Sequence, residues 1–319
     1  MHEFDIIKKY FSKLSFDNKN ALSLNDDIFF DRSKKLVISV DTYIDKLHFF
    51  NFKYPNLVIK KILRSSISDL ICKGVKPKYY FISGSGNKKT FTKQNLIKIS
   101  KSLKQEQKKY GIYLSGGDTV FSNKLSFTIT SIGFSNKVIF RNRAKLNDDI
   151  YVTGDLGNSY TGLKILKKDI STNKHLNKYF IMKYYLPELH IDLPKKLLSF
   201  ANTSIDISDG LFTDLDKLIN NQKLSYKINL ADVPISKKLK NLILSKKLRK
   251  IDFISKGDDY QILFTASKKK FRIIARTFKY LGIKISRIGE ICGGNQKAQI
   301  IDEKGNKITV KNKGHLHKF

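Results

Sequence analysis

The chain has 319 residues and carries 61 Lys and Arg against 28 Asp and Glu, a formal net charge of +33. Hydrophobic residues make up 41%, which excludes a disordered chain and allows a core large enough for two ordinary domains. No apolar run approaches the ~18 residues of a membrane span, and Cys72 and Cys292 form no C-x-x-C pair, so neither a disulfide framework nor a zinc site is expected.

Phe4, Ile7 and Phe11 stand at helical spacing behind early acidic residues, which predicts an amphipathic helix over 3–14 rather than a signal peptide; a reduced cytoplasm fits. Thereafter β-branched runs alternate with amphipathic stretches. Strands are predicted over 35–40, 78–83, 126–134, 149–153, 225–230, 260–266, 284–289 and 298–301. Helices are predicted over 55–72, 91–109, 158–168, 190–200, 210–221, 235–247 and 267–281. The mixture reads as α/β or α+β. The stretch "NRAKLNDD" (142–149) separates two strand-containing halves, residues 1–145 and 146–319.

Two features invite a nucleotide or nucleic-acid reading. "ISGSGNKKT" (82–90) looks like a phosphate loop, but its glycines are only two apart and an asparagine precedes the first lysine. It is expected to be a strand-end turn before a helix starting near Thr90. The positive charge is spread along the chain as Lys rather than clustered as Arg, with no aromatic stacking module, so no nucleic-acid partner is expected. A basic nucleic-acid-binding protein remains the non-enzymatic alternative, with strongly salt-dependent binding as its mark.

The informative residues are the scarce acids. They concentrate in turns beside predicted strands: "LNDD" (Asp26, Asp27), "SVDTYIDKLHF" (Asp41, Asp45), "SISDL" (Asp69), "SGGDT" (Asp118), "IDISDG" (Asp206, Asp209) and "KGDDYQ" (Asp258, Asp259). Each taken singly is equally a turn or helix cap. Carboxylates converging at strand ends repel one another unless cations sit among them, and Mg²⁺ takes oxygens from one or two carboxylates plus phosphates. The set therefore suggests several Mg²⁺ ions on a nucleoside triphosphate. "VTGDLGNSYTGL" (152–163) adds a Gly-rich strand-to-helix turn whose N–H groups could meet a phosphate or ribose, though on its own it is equally a tight turn.

The order of these motifs resembles the thiamine-monophosphate kinase family, of the ATP-binding superfamily that also holds aminoimidazole ribonucleotide synthetase, over nearly the whole chain. The resemblance implies a two-domain fold, α/β plus α+β in chain order, with ATP between the halves and an N-terminal sheet that forms a barrel across a homodimer. It implies transfer of the γ-phosphoryl of ATP to thiamine phosphate with Mg²⁺, without membrane or nucleic-acid partners. By position, Asp27, Ser39, Asp41, Asp69, Asp118, Asp206 and Asp209 are the expected metal ligands, with Asp69, Asp118 and Asp209 central to catalysis. Gly117, Asp118, Arg141 and Ser208 are the expected ATP contacts, and His48, Asp258 and His315 the expected substrate contacts. The chain departs from the pattern at Ser23 and Asn25, where glycines are usual, so that turn needs another backbone shape or Asn in the left-handed region. Val40 stands where a hydroxyl residue is usual, and Asp258 where Glu is. The same fold acting on a different acceptor is the enzymatic alternative.

Overall fold

The computed structural model describes residues 3–294, 297–310 and 314, except for the side chains of Glu3 and Phe4. The β-branched runs form two sheets. The first contains β1 (Phe29–Asp31), β2 (Leu36–Ile44), β3 (Pro77–Gly86), β4 (Tyr113–Phe121) and β5 (Ser126–Phe134), in the order β1-β2-β5-β3-β4. The second contains β6 (Asp149–Thr153), β7 (Thr203–Asp206), β8 (Leu224–Asn229), β9 (Ile262–Ala266), β10 (Ile285–Gly293), β11 (Gln299–Ile301) and β12 (Lys307–Ile308). Its order is β12-β11-β8-β10-β6-β9-β7. The first sheet is antiparallel except for β3 and β4, whose parallel pairing needs a crossover; the helix Lys93–Tyr110 supplies it.

The helix Pro55–Cys72 starts with Pro at its first turn, where a missing N–H costs nothing, and is buried on nearly every face. It packs against β2 and β5 on one side and β7 on the other. The main apolar cluster is shared accordingly: Ile62 and Leu63 from this helix meet Ile129 of the first sheet and Tyr151 and Phe264 of the second. Leu211, Phe212, Ile228 and Ile288 form a separate core in the second half. Among the described residues no helix is long and apolar enough to cross a membrane.

Several elements differ from expectation. The segment 3–14 is helical only in short pieces, Glu3–Ile6, Ile7–Phe11 and Ser12–Ser15, each with a different turn geometry. Of 190–200, only Pro194–Leu197 is helix. The strands β1, β4, β7 and β12 and the helix Lys174–Tyr185 escaped sequence reading. β3 runs on through Gly84 and Gly86, which lie against the Phe91 ring where a side chain would crowd it. The turn begins at Asn87, whose N–H donates to Thr90 Oγ1 at 2.9 Å and whose Oδ1 accepts from Lys89 N at 2.9 Å. Thr92 then caps the helix. The backbone N–H groups of Asn87, Lys89 and Thr90 thus bind within the turn, as in a strand-end connection.

The turn before the first acid pair takes neither glycines nor a left-handed asparagine. Leu22, Ser23 and Leu24 have φ of 53°, 55° and 54°, whereas Asn25 has φ −119° and exchanges side-chain hydrogen bonds with Asn220. A left-handed conformation costs an L residue roughly 1–2 kcal/mol. Ser23→Gly is therefore expected to stabilise the protein by about 1 kcal/mol, read as a higher urea midpoint at unchanged slope.

Candidate active site

Strand alternation puts Ser39 and Asp41 on the helix side of β2 and leaves Val40, 59% exposed, on the other face. Asp69 sits in the last turn of the helix Pro55–Cys72, and Asp206 ends β7. Ser39 Oγ donates to Asp69 at 2.5 Å, Ser68 Oγ to Asp206 at 2.5 Å, and Tyr43 OH to Asp41 at 3.1 Å. Burial pushes the Asp41 carboxyl up to about 6, with the Asp206 charge adding to it. Burial, then Asp41 and Asp206, hold Asp69 well above the usual carboxylate range, and burial raises Asp206. Three acids from three elements thus crowd one another out of water. Among the described residues no three His, Cys, Asp or Glu side chains close on a single point. The donor set fits Mg²⁺ ions that complete their shells with phosphate oxygens rather than an all-protein cage.

A second group adjoins it. Lys73 Nζ reaches Asp26 at 2.7 Å, Asp27 at 3.0 Å and the Ser204 carbonyl at 2.9 Å. Arg141 grips Asp27 with Nε at 3.0 Å and with Nη2, and its backbone N–H donates to Asp26 at 2.8 Å.

The "IDISDG" and "KGDDYQ" turns are built against each other. Asp258 N donates to Ser208 O at 2.9 Å and Tyr260 N to Ile207 O at 2.9 Å. A Cβ on Gly257 would fall 1.6 Å from the Ser208 carbonyl oxygen, so only glycine permits this approach. The fully buried Asp214 accepts from the backbone N–H groups of Asp209 and Gly210, each at 3.0 Å, and fixes the turn. Lys217 binds Asp209. Asp258 pairs with Lys61 at 2.8 Å, and the Lys61 ammonium lies 4.2 Å from the Tyr184 ring centroid. Tyr260, whose hydroxyl donates to Asp258 at 3.2 Å, is pushed well above the ordinary tyrosine range by burial, with the charges of Asp258, Asp206 and Asp41 adding to it.

The Gly-rich turn at 152–163 does not offer its N–H groups to a ligand. Asp259, buried, accepts from Gly157 N at 2.6 Å and Ser159 N at 3.2 Å, filling the N-terminus of the helix Asn158–Leu166 from inside. A cavity of about 1420 Å3 lies elsewhere, walled by Leu230, Pro234, Leu248 and Val310, and holds none of the expected site residues.

Not every expected residue joins the cluster. Asp118 lies on the edge strand β4, opposite Ser83 and exposed, on the face of the sheet that carries Phe81 and Val40. It is therefore across the sheet from Asp41. Beside it Gly117 lets β4 approach β3, since a Cβ there would fall 1.8 Å from the Ile82 carbonyl oxygen. His48 closes the turn after β2, its Nδ1 accepting from Ile44 N at 2.9 Å. His315 lies outside the described residues. Lys61, Lys73, Lys217 and Asp214 were missed by sequence reading. The only signal for the first two was a cation beside an otherwise apolar helix, a signal drowned in a Lys-rich chain.

Without metal, the raised carboxyl of Asp41 opposes folding as pH rises. The folded state holds its proton more tightly than the unfolded chain, so the penalty is absent near the ordinary value of 3.8 and fully developed above about 6. Asp41→Asn is expected to stabilise the metal-free protein at pH 7 by roughly 1–3 kcal/mol and to change little at pH 4. Urea midpoints in chelator at the two pH values check this.

Comparison with known proteins gives a consistent picture. Residues 20–135 match the family described as AIR synthase related protein, N-terminal domain. A thiamine-monophosphate kinase of Buchnera aphidicola subsp. Acyrthosiphon pisum is 34% identical over 328 residues, covering 99% of this chain and 98% of that protein. The thiamine-monophosphate kinase of Haemophilus influenzae is 30% identical over 318 residues, covering 97% and 96%. The solved structure of AaThiL complexed with AMPPCP and TMP superposes with a TM-score of 0.84 at 24% identity, covering 98% of this chain and 97% of its own. That likeness establishes the shared fold. With this identity sustained end to end in both partners, the chain belongs to the thiamine-monophosphate kinase family.

Proposed function

We propose that the protein transfers the γ-phosphoryl group of ATP to thiamine phosphate, giving ADP and thiamine diphosphate. The observation that carries this reading is the proximity of Asp41, Asp69 and Asp206, buried acids near enough to act on one another and hydrogen-bonded to serine and tyrosine hydroxyls rather than to lysine or arginine. Family membership supports it, as does the neighbour solved with AMPPCP and TMP. Ser39, Asp41, Asp69 and Asp206 would hold Mg²⁺, with Asp209 beside them, and several ions bound there supply the charge neutralisation that lets two polyanions meet.

The chain's own part is positioning. The acceptor oxygen belongs to a phosphate monoester whose second pKa is ~6, so it arrives ionised and needs no general base. Arg141, held on Asp27, and Ser208, in the turn fixed by Asp214, are the proposed ATP contacts together with Gly117. His48 and Asp258 are the proposed acceptor contacts, Asp258 kept in place by Lys61. Direct in-line transfer follows, with no covalent enzyme intermediate. The two cysteines are free thiols, in keeping with a cytoplasmic setting. Purified protein should form thiamine diphosphate only with Mg²⁺, and Asp69→Asn should lower turnover roughly 100-fold or more with the fold intact. Full activity of that variant sinks the site assignment.

A homodimer belongs to the same proposal. Val40, Tyr79, Phe81, Tyr113, Val120 and Phe134 of the first sheet are between 37% and 59% exposed, too much apolar surface for one part of a monomer. Asp118 lies on this face and would act on the site of the other subunit. Mixed Asp69→Asn and Asp118→Asn proteins, each inactive, should then recover roughly a quarter of wild-type activity through mixed dimers of two-fold symmetry. No recovery after verified subunit exchange places both residues in one site.

A further inference from the structure

Lys73 stands where the helix Pro55–Cys72 ends, and none of its side chain reaches solvent. The carboxylates it meets are nearly as deep, Asp26 at 4% and Asp27 at 16% exposure. An ammonium has three protons, and here each has an acceptor: Asp26 Oδ1, Asp27 Oδ2 and the Ser204 carbonyl. Every oxygen of the acid pair is likewise engaged. Asp26 Oδ1 takes Lys73 and the Asp27 N–H, and Asp26 Oδ2 takes the Arg141 N–H. Asp27 Oδ1 takes Arg141, and Asp27 Oδ2 takes both Arg141 and Lys73. Two negative charges face two positive ones, and the group is neutral and closed. Burial pulls the Lys73 pKa down, but Asp26 and its other acidic neighbours raise it above the ordinary value, so the charge is retained.

This arrangement disagrees with the expectation that Asp27 ligates Mg²⁺. A divalent ion there would have to displace a bidentate guanidinium and one of the three acceptors of a buried ammonium at once, stripping Arg141 of its carboxylate and setting a divalent charge beside Lys73, which is costly. The Asp41, Asp69 and Asp206 group carries no such internal cation on its oxygens; serine and tyrosine hydroxyls serve it instead.

We propose that the Lys73 ammonium is a built-in cation standing in for a divalent ion at the Asp26–Asp27 pair, so that the metal ions of this enzyme are confined to the Asp41–Asp69–Asp206 side. It rests on the reading of this pocket as a Mg²⁺–nucleotide site. A fixed lysine performs the charge neutralisation of the missing ion without exchange, and the enzyme works with one fewer divalent ion per subunit than the full acidic motif set implies.

The test is a Mn²⁺ titration followed by electron paramagnetic resonance, with a non-hydrolysable ATP analogue present. Wild type and Asp27→Asn are expected to bind the same number of Mn²⁺ ions per subunit. Lys73→Met should bind one more, and adding Asp27→Asn to it should remove that extra ion. Lys73→Met should also melt lower than wild type in chelator and regain the difference with Mn²⁺. If Lys73→Met does not fold, the Asp27→Asn arm decides: an unchanged count supports the proposal. Loss of one ion in Asp27→Asn overturns it. So does no gain in folded Lys73→Met while Asp69→Asn lowers the wild-type count, a result that leaves the Mg²⁺–nucleotide reading standing. Wild type that binds no Mn²⁺ overturns both.

Discussion

Burying the helix Pro55–Cys72 between two sheets is possible only because each ionic group on it meets a partner. Lys61 has Asp258, Arg64 has the two oxygens of Glu106 at 2.7 and 3.0 Å, Asp69 has Ser39, and Lys73 just beyond has Asp26 and Asp27. A buried charge without such a partner costs several kcal/mol, more than most single contacts return. The partners come from β2, the chain before β1, the KGDD turn and the helix Lys93–Tyr110. Charge pairing along one helix therefore fixes where four other segments of the chain must sit.

The same rule explains why the acids are arranged unevenly. Where lysine or arginine already matches a carboxylate, as at Asp26, Asp27 and Asp209, the pair is a structural joint. Where hydroxyls are the main partners, as at Asp41, Asp69 and Asp206, charge is left over and the carboxyls are driven upward by burial and by one another. The first kind holds the surrounding turns in place, and the second kind leaves carboxylate charge that a cation would relieve. A strongly basic chain makes the contrast sharper, because solvent-facing lysines lie everywhere except on those three oxygen-rich groups.

Much of this was legible in the sequence, and the reasons for the rest are physical. Strands 126–134 and 149–153 and the helix 55–72 came out with their observed bounds because apolar periodicity is strong there. β4 was lost because "SGGDT" interrupts it with glycines, and β7 because four residues are too few for a period. The acids were found because aspartate is scarce in this chain, and the lysines that neutralise them were missed because lysine is abundant. The Gly-rich turn at 152–163 stayed undecided between a ligand loop and a tight turn for another reason. Its donors are satisfied by Asp259, about a hundred residues further along the chain, a contact no local reading anticipates. Which face of β4 carries Asp118 likewise depends on sheet register.

The close approach of Gly257 to the Ser208 carbonyl ties two jobs together. Asp258 and Asp209 ride on one rigid double turn, so neither moves without the other. If Asp258 meets the acceptor and Asp209 the phosphates, as proposed, a substitution that reshapes one side shifts the other as well. His48 hangs on a separate turn at the end of β2, tied mainly to its own strand. Its ring also stands edge-on to Tyr43, whose hydroxyl serves Asp41, so a change at that end reaches the acidic cluster through an aromatic contact rather than through a shared turn.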